Sequence, residues 1–595
     1  MKYLPVGNDF ISLPRINEQS GAIEDITFLY MAAKGLIDIR GNSQMPLIQP
    51  FVHLEQNNTE SPLPEVLNWS RLANWLPNLI CERDKLQISI TYLPPIDERG
   101  FAVQINVNNT ASLEQSVELG LEGCWASSWH CVNEDKPLSG IAKCFQSNWN
   151  NSLVFEYTNG FPMFAFAPMA NVTTLNTFKQ DNNGSISYRL CHSTCIAPKS
   201  EKSIVFYWGL GFEEVSAATS AKEMLRQAYA VELTKTIKWL QKRSVHFANS
   251  KLTQLYNTNL FFCYFFSAGI TLDTEELVLV TSRSPRYYVS AAYWDRDSLL
   301  WSFPAILDID PVRAKQMLNY VYTKQQRNFG IHSRYIDGTV LEPGFELDEL
   351  VAPLLALTRY VKQTKDYAFL GESHIQQGID HILNKLAQHK ANKYYLYDTF
   401  LQPTDDERVY PFITYDNVLV WKALKDLSSL SDKYKGLNTL ATKIKNDIVN
   451  NCIKQSENGQ PYFCWSTDLN GKHDIYDEPP GSLQLLPLLG FCKADDAVYV
   501  NTVNLIRSPE YKYSFANNPI NEIGCPHAPH PWILSLANSI LCGRLEHSLS
   551  ILEKLHMDNG IACESVDEIT GYCTTGEAFA TCAGFLCHAI YSMFK

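Results

Sequence analysis

Six stretches in the second half of the chain gather carboxylates, amides, histidines and large aromatic rings. In order they are TSRSPRYYVSAAYWDRD (281–297), NFGIHSRYIDGTVLEPGFELDE (328–349), YDTFLQPTDDERVYPFITYDN (397–417), FCWSTDLNGKHDIYDEPPGS (463–482), FANNPINEIGCPHAPHPW (515–532) and MDNGIACESVDEITGYCTTGEA (557–578). Paired acids without metal-ligand spacing suit cleavage of a glycosidic bond. One acid protonates the departing oxygen, and a second carboxylate activates water or attacks carbon. Candidate donors are Glu346, Asp348 and Glu349 in FELDELVAP. A helix N-terminus favours the ionised carboxylate, so burial or a neighbouring acid must raise the donor's pKa. The candidate base is Glu564 in IACESVDEITG, which comes from far along the chain. Arg296 beside Asp297 offers a donor fork next to acceptors, a pattern that grips adjacent sugar hydroxyls. Trp294 and Trp532 suit either wall packing or sugar stacking, and Tyr287 and Tyr288 read as structural.

These stretches need elements to position them. From about residue 249 a 3.6-residue apolar period dominates and predicts twelve helices, at 249–269, 297–308, 311–326, 346–364, 370–388, 415–429, 432–453, 482–490, 494–507, 531–542, 544–556 and 576–594. Twelve helices in this length is the count of an (α/α)6 barrel. Each of the six rich stretches leads into an even-numbered helix, so all six would collect at one mouth of the barrel. Before residue 218 the pattern is short and alternating, as in LQISITYLP (86–94), FAVQINVNN (101–109) and SIVFYWGLGF (203–212), with Asn, Gly, Pro and Asp between runs. The expected architecture is therefore a multidomain α+β chain, an N-terminal antiparallel β-sandwich (1–217), a helical linker (218–248) and an (α/α)6-barrel catalytic domain (249–595).

Composition excludes several classes. The chain has 595 residues, is 45% hydrophobic and 19% charged, and carries a net charge of -13, which argues against a nucleic-acid partner. No apolar run reaches membrane-spanning or signal-peptide length. The 16 cysteines are scattered without a CxxC pair, so the expectation is reduced thiols, a cytoplasmic setting, no metal and no cofactor. Triplets such as Asn57-Asn58-Thr59 then read as chance matches to a glycosylation signal.

The same stretches resemble glycoside hydrolase family 125. AYWDRDSLLW is similar to its W-x-RDS segment and FELDEL to its (Y/F)E-(I/L)-D-S-L. LQPTDDERVYPFITYDN is similar to RPSDD followed by IPxN, YDEPPGSLQLLPLLGF to DDANVPSLLxxPYLGY, IGCPHAPHPWILSLAN to G-x-PH followed by WPMSL, and ACES to H/W-ES. The six occur in the family's order over 287–595. That resemblance implies an inverting exo-acting α-glycosidase, with Asp348 as general acid and Glu564 as base. It implies a sugar subsite drawn from Tyr293, Trp294, Asp295, Arg296, Asp297, Glu346, Asp405, Asp406, Asn417, His527 and Trp532. The chain departs from the family where the Arg of RPSDD is Gln402, where Glu349 follows the acid position and where DDAN becomes YDEP. The β-rich first part looks more like the sandwich that precedes the barrel in bacterial glucoamylase-like enzymes and sugar phosphorylases. Mannose and glucose are both open as the sugar. The substrate partner is an oligosaccharide or glycoside, with no nucleic acid or membrane and no indication of oligomeric state. An inverting phosphorylase and a degenerate sugar-binding barrel are the alternatives.

Overall fold

The computed structural model describes residues 2–54 and 61–595. The Asn57-Asn58-Thr59 triplet lies outside the described residues. The chain forms two compact units, Met1–His246 with Ala268–Val278 and Arg283–Ala291, and Phe247–Ser267 with Leu279–Ser282 and Ala292–Lys595.

The first unit is antiparallel β. Its strands form sheets of eight, six and four strands. Alternation places Val103, Ile105 and Val107 of strand Gly100–Asn109 in the core, with Gln104, Asn106 and Asn108 between them only half-buried. Gly120 is required by close packing, because a Cβ there would lie 1.9 Å from the carbonyl oxygen of Leu190 on the neighbouring strand. Two helices, Glu214–Gln227 and Tyr229–Arg243, belong to this unit. The first is capped reciprocally by Glu213 and Ser216 and buries Ala217, Ala218, Ala221 and Met224. It packs on strand Glu201–Gly211 of the eight-stranded sheet.

The second unit is helical, and its inner elements close into a ring. Segment Arg296–Ser302 packs on helix Leu347–Thr364, which packs on Thr414–Ser428. The turn Leu483–Leu485 packs on Ile533–Leu541, which packs on Ala580–Phe594, and that last helix returns to Arg296–Ser302. These inner segments are buried nearly all round. An outer helix such as Ser373–Gln388 instead buries one stripe, Ile375, Gly378, Ile379, Ile382 and Leu386. Inner elements buried all round and outer helices buried on one stripe are the two layers of an (α/α)6 barrel.

Two expected helices differ in detail. The eighth, 482–490, is only a short 3-10 turn at Leu483–Leu485 followed by further turns, because Pro487 lacks the N–H and crowds the carbonyl four residues back. The second opens as a π-helix over Arg296–Ser302 before becoming α-helical at Phe303–Ile309. The long connections are tied to one another at the mouth. Tyr293 bridges Arg334, Trp532 bridges Ser565, and Phe412–Ile413 pairs with Ser466–Thr467. No helix among the described residues is long and apolar enough to cross a membrane.

Candidate active site

The π-turn places Arg296 at the centre of the site. A π-bulge inserts one residue per turn and is frequent where a helix serves a function. The Arg296 guanidinium is 1% exposed. Its Nη1 donates to Glu346 Oε2 at 2.6 Å and to Asp348 Oδ2 at 3.0 Å, and its Nη2 donates to Asp405. Glu346 and Asp348 reach it from the N-terminal end of helix Leu347–Thr364, and Asp405 from the loop after Pro403. Glu349 is turned differently. It accepts the backbone N–H of Asp295 at 2.5 Å and of Arg296 at 2.8 Å, so it fastens the π-turn to the neighbouring helix.

A second cation supports the first. Arg334, fully buried, pairs with Asp295, whose other oxygen accepts the Tyr293 hydroxyl at 2.5 Å. His332 hydrogen-bonds Glu346, and its Nε2 lies 3.3 Å from Glu342. Burial opposes charge on His332, but the bonds to Glu342 and Glu346 outweigh it and push its pKa up to about 11. Neither His332 nor Arg334 was expected from the sequence. The available signal was their alternation on strand Ile331–Arg334, which turns both to one face.

Most of the cluster's acids are pulled toward the protonated form. Burial raises Glu346 to about 7 against the pull of Arg296, and raises Asp348 in the same way. Asp297 is raised to about 7, again by burial first, and accepts the Thr581 hydroxyl at 2.9 Å. Asp416 is buried with both carboxylate oxygens unpartnered among the described residues. Burial, then the nearby Asp348 and Glu478, lift its pKa well above the ordinary value.

The far side of the cleft carries His527, Trp532 and Glu564. His527 Nδ1 lies 3.5 Å from Asp406. That contact raises the His527 pKa against burial, and the charges of Glu564, Asp406 and Asp405 act in the same direction. Of the three, Asp406 is the one in contact with the imidazole. Glu564 is 3% exposed and accepts the Thr575 hydroxyl at 2.8 Å. Trp532 sits 6.2 Å from His527, ring to ring, and its indole N–H donates to Ala528. Gln402, Asp406, Glu407, Val409, Asp474, Tyr476, Pro526 and His527 line an open cavity of about 350 Å³.

The expected site residues thus fall into groups. Arg296, Asp297, Glu346, Asp348 and Asp405 form one cluster, Asp406 and His527 line the open cavity, and Trp532 and Glu564 are buried. Trp294 packs edge-on to His332 with its indole N–H unpartnered among the described residues. Tyr293, Asp295 and Glu349 are enclosed by their own bonds. The Asn417 side chain bonds the backbone of Tyr397 and Ile413. Reach differs sharply within the set. The side chains of Asp405 and Asp406 are 36% and 47% exposed, whereas Asp348 is 1% exposed and Glu349 is fully enclosed.

His332, Glu346 and Asp405 also bring possible ligand atoms within 4.8 Å of one another. Their chemistry does not fit a metal ion. Arg296 already bonds both carboxylates, and the imidazole is held protonated by its acid neighbours.

The fold is an (α/α)6 barrel similar to those of GH125 and glucoamylase proteins. Residues 389–591 match the model of the GH125 family, described as metal-independent alpha-mannosidase. A bacterial glucoamylase solved with acarbose is similar over 100% of this chain and 94% of its own, with TM-score 0.67 and 13% identity. A metal-independent alpha mannosidase from Streptococcus pneumoniae, solved with alpha-1,6-mannobiose, is similar over 58% of this chain and 94% of its own, with TM-score 0.51 and 17% identity. A protein from the human microbiome assigned as a kojibiose phosphorylase covers 99% of this chain and 86% of its own, with TM-score 0.62 and 12% identity. No curated protein matches the sequence.

Proposed function

We propose that the protein is an exo-acting glycoside hydrolase that cleaves α-mannosides or α-glucosides with inversion. The terminal sugar is held by Arg296, Asp297, Asp406 and His527 between Trp294 and Trp532. Glu564 takes a proton from water as the water attacks the anomeric carbon, and an acid on the opposite face protonates the departing oxygen. The carboxyl groups of an inverting pair lie roughly 6.5–9.5 Å apart, which leaves room for that water.

A proton donor must touch the leaving oxygen, and this condition selects among the acids. Asp348, the donor implied by family resemblance, has one oxygen bonded to Arg296 and the other to the Glu349 backbone N–H. Asp405 bonds the same guanidinium, reaches the cleft and shares the His527 neighbourhood with Glu564. The proposal therefore gives proton donation to Asp405 and a supporting role to Asp348. The observation that carries the whole reading is the cluster in which Asp405, with a part-exposed side chain, shares the Arg296 guanidinium with the buried Glu346 and Asp348. The unpaired state of all sixteen cysteines suits a reducing, cytoplasmic setting.

The test is turnover of aryl α-mannosides, α-glucosides and α-linked disaccharides, with the first-formed product followed by NMR. The expected product is the β-anomer, formed without any need for phosphate. Glu564→Gln should lose roughly 10²–10⁴-fold in kcat. An α-anomer would overturn inversion, and turnover only in the presence of phosphate would replace hydrolysis by phosphorolysis. Asp348→Asn and Asp405→Asn, run side by side, decide the donor.

A further inference from the structure

Two departures from the family pattern, Gln402 and the YDEP stretch, meet at one residue. Thr404 immediately precedes Asp405. Its backbone N–H donates to Glu478 Oε1 at 3.0 Å, and its hydroxyl donates to Glu478 Oε2 at 2.9 Å. The Tyr476 hydroxyl donates to the same Oε2 at 3.2 Å. On the other side the Trp465 indole N–H donates to Gln402 Oε1, and Gln402 Nε2 donates to the Thr404 hydroxyl, each at 3.3 Å. Donors and acceptors agree in direction along the whole chain, Trp465 to Gln402 to Thr404 to Glu478. Glu478 is fully buried, and Thr404 and Trp465 nearly so.

This chain of bonds ends on a conformation that needs holding. Asp405 has φ of 70°, the left-handed region, which L-residues rarely adopt. The turn is tight. The Asp405 N–H donates to the Gln402 carbonyl at 2.8 Å and the Gln402 N–H to the Asp406 carbonyl at 2.9 Å. Arg296 holds the Asp405 carboxylate from one side. Glu478, which comes from a different loop, holds the preceding residue from the other.

We infer that Glu478 is a positioning residue that fixes the Thr404–Asp406 turn and so aims Asp405 at the leaving oxygen. The inference rests on the reading of Asp405 as proton donor. It also accounts for the departures together. The glutamine at 402 supplies an amide that can accept from Trp465 and donate to Thr404 at once, whereas an arginine has no acceptor. The glutamate at 478 gives two acceptor oxygens to the three donors that face it.

The test separates aim from mere stability by varying the leaving group. A glycosyl fluoride departs with little help from an acid, whereas a sugar or alkyl alcohol needs the proton. For Glu478→Ala, kcat on an α-linked disaccharide or alkyl α-glycoside should fall roughly 100-fold, the scale of an ångström-sized misplacement. The loss on the matching α-glycosyl fluoride should stay within about threefold, because proton donation is the contribution being removed. Thr404→Val should show the same split, and Thr404→Ser, which restores the hydroxyl, should recover most of the lost rate. If Glu478→Ala folds poorly, Glu478→Gln gives the milder form of the same comparison. Equal losses on both substrates, or no loss on either, would overturn the inference while leaving hydrolysis intact. If the wild-type protein turns over neither substrate, the hydrolase reading is what fails. The crystal structure of Glu478→Ala then judges this inference alone. Asp405 leaving positive φ supports it, and Asp405 unchanged refutes it.

Discussion

Glu522 offers a test of how the barrel holds its tenth connection, the loop that carries His527 and leads into Trp532. Its carboxylate accepts from Ser535 at 2.6 Å, Ser539 at 3.0 Å, His547 at 2.9 Å and Arg507 at 3.2 Å, at 1% exposure. Burial alone would raise its pKa. The Arg507 charge and the bonds from His547 and Ser535 outweigh burial and bring it down from 4.5 to about 2. A carboxylate with a depressed folded pKa contributes stability that is fully present above the unfolded value. That contribution is lost as pH falls through the folded value. The shift of about 2.5 units corresponds to about 3 kcal/mol at pH 7, and no solvent discount is needed for a group this enclosed. Between pH 7 and pH 3.5 the unfolded carboxylate gains most of its proton while the folded one does not, so about 1 kcal/mol of that stability disappears. Urea unfolding followed by helical circular dichroism, which weights the helical unit, should find Glu522→Gln less stable by about 3 kcal/mol at pH 7. The deficit should shrink by about 1 kcal/mol at pH 3.5. A deficit below about 1 kcal/mol at pH 7, or one that does not change with pH, refutes the charge-based account.

Other perturbations probe the site and both units. Arg334→Met leaves Asp295 buried without its cation and should cost about 3–5 kcal/mol of stability in the same urea assay. The double variant with Asp295→Asn should recover part of it. Arg296→Lys replaces a fork that serves Glu346, Asp348 and Asp405 by a single ammonium, and kcat should drop roughly 100-fold with the fold retained by circular dichroism. Gly209→Ala sets a Cβ 2.2 Å from the Ala217 carbonyl and 2.4 Å from the Ala221 nitrogen. It should loosen helix Glu214–Gln227 from its sheet and destabilise the first unit by about 1–3 kcal/mol, read as earlier proteolysis of that unit.

Much of this architecture is written in periodicity. Strand Gly100–Asn109 alternates with period two and helix Ser373–Gln388 with period 3.6, so sheet-rich and helical parts separate by pattern alone. The acids stand out because apolar helices frame them. What periodicity could not show is how a local backbone turns a side chain. Asp348 and Glu349 are adjacent at one helix start, yet Asp348 turns to Arg296, and Glu349 to two backbone N–H groups of the π-turn and to Arg334. Asn417 looks like a sugar ligand by resemblance, but its amide serves the carbonyls of Tyr397 and Ile413. His332 and Arg334 sit in GIHSRY, an ordinary loop sequence until its two-stranded pairing with Val340–Phe345 turns them to one side.

The charge balance of the cluster explains why its reactive member should be the one at the edge. Arg296, Arg334 and His332 are its cations, while Asp295, Glu342, Glu346, Asp348, Glu349 and Asp405 all lie in ion-pair contact with them. Six acids against three cations, most of them buried, cannot all ionise, because each unpaired buried charge costs several kcal/mol. The cluster must keep protons at neutral pH. The raised values of Glu346, Asp348 and Glu349, each caused first by burial, mark these three as members drawn toward the protonated form. Of the acids that face Arg296, Asp405 has the most exposed side chain. A bound sugar that draws one Arg296 N–H onto its hydroxyls would weaken that arginine's hold on Asp405. A proton could then shift outward along the shared carboxylates to the group facing the leaving oxygen. On this account Asp348 matters as a proton holder behind Asp405. Asp348→Asn should therefore lower kcat on poor leaving groups and move the alkaline limb of the pH–rate profile, whereas Asp405→Asn should lose the larger part of kcat on those substrates.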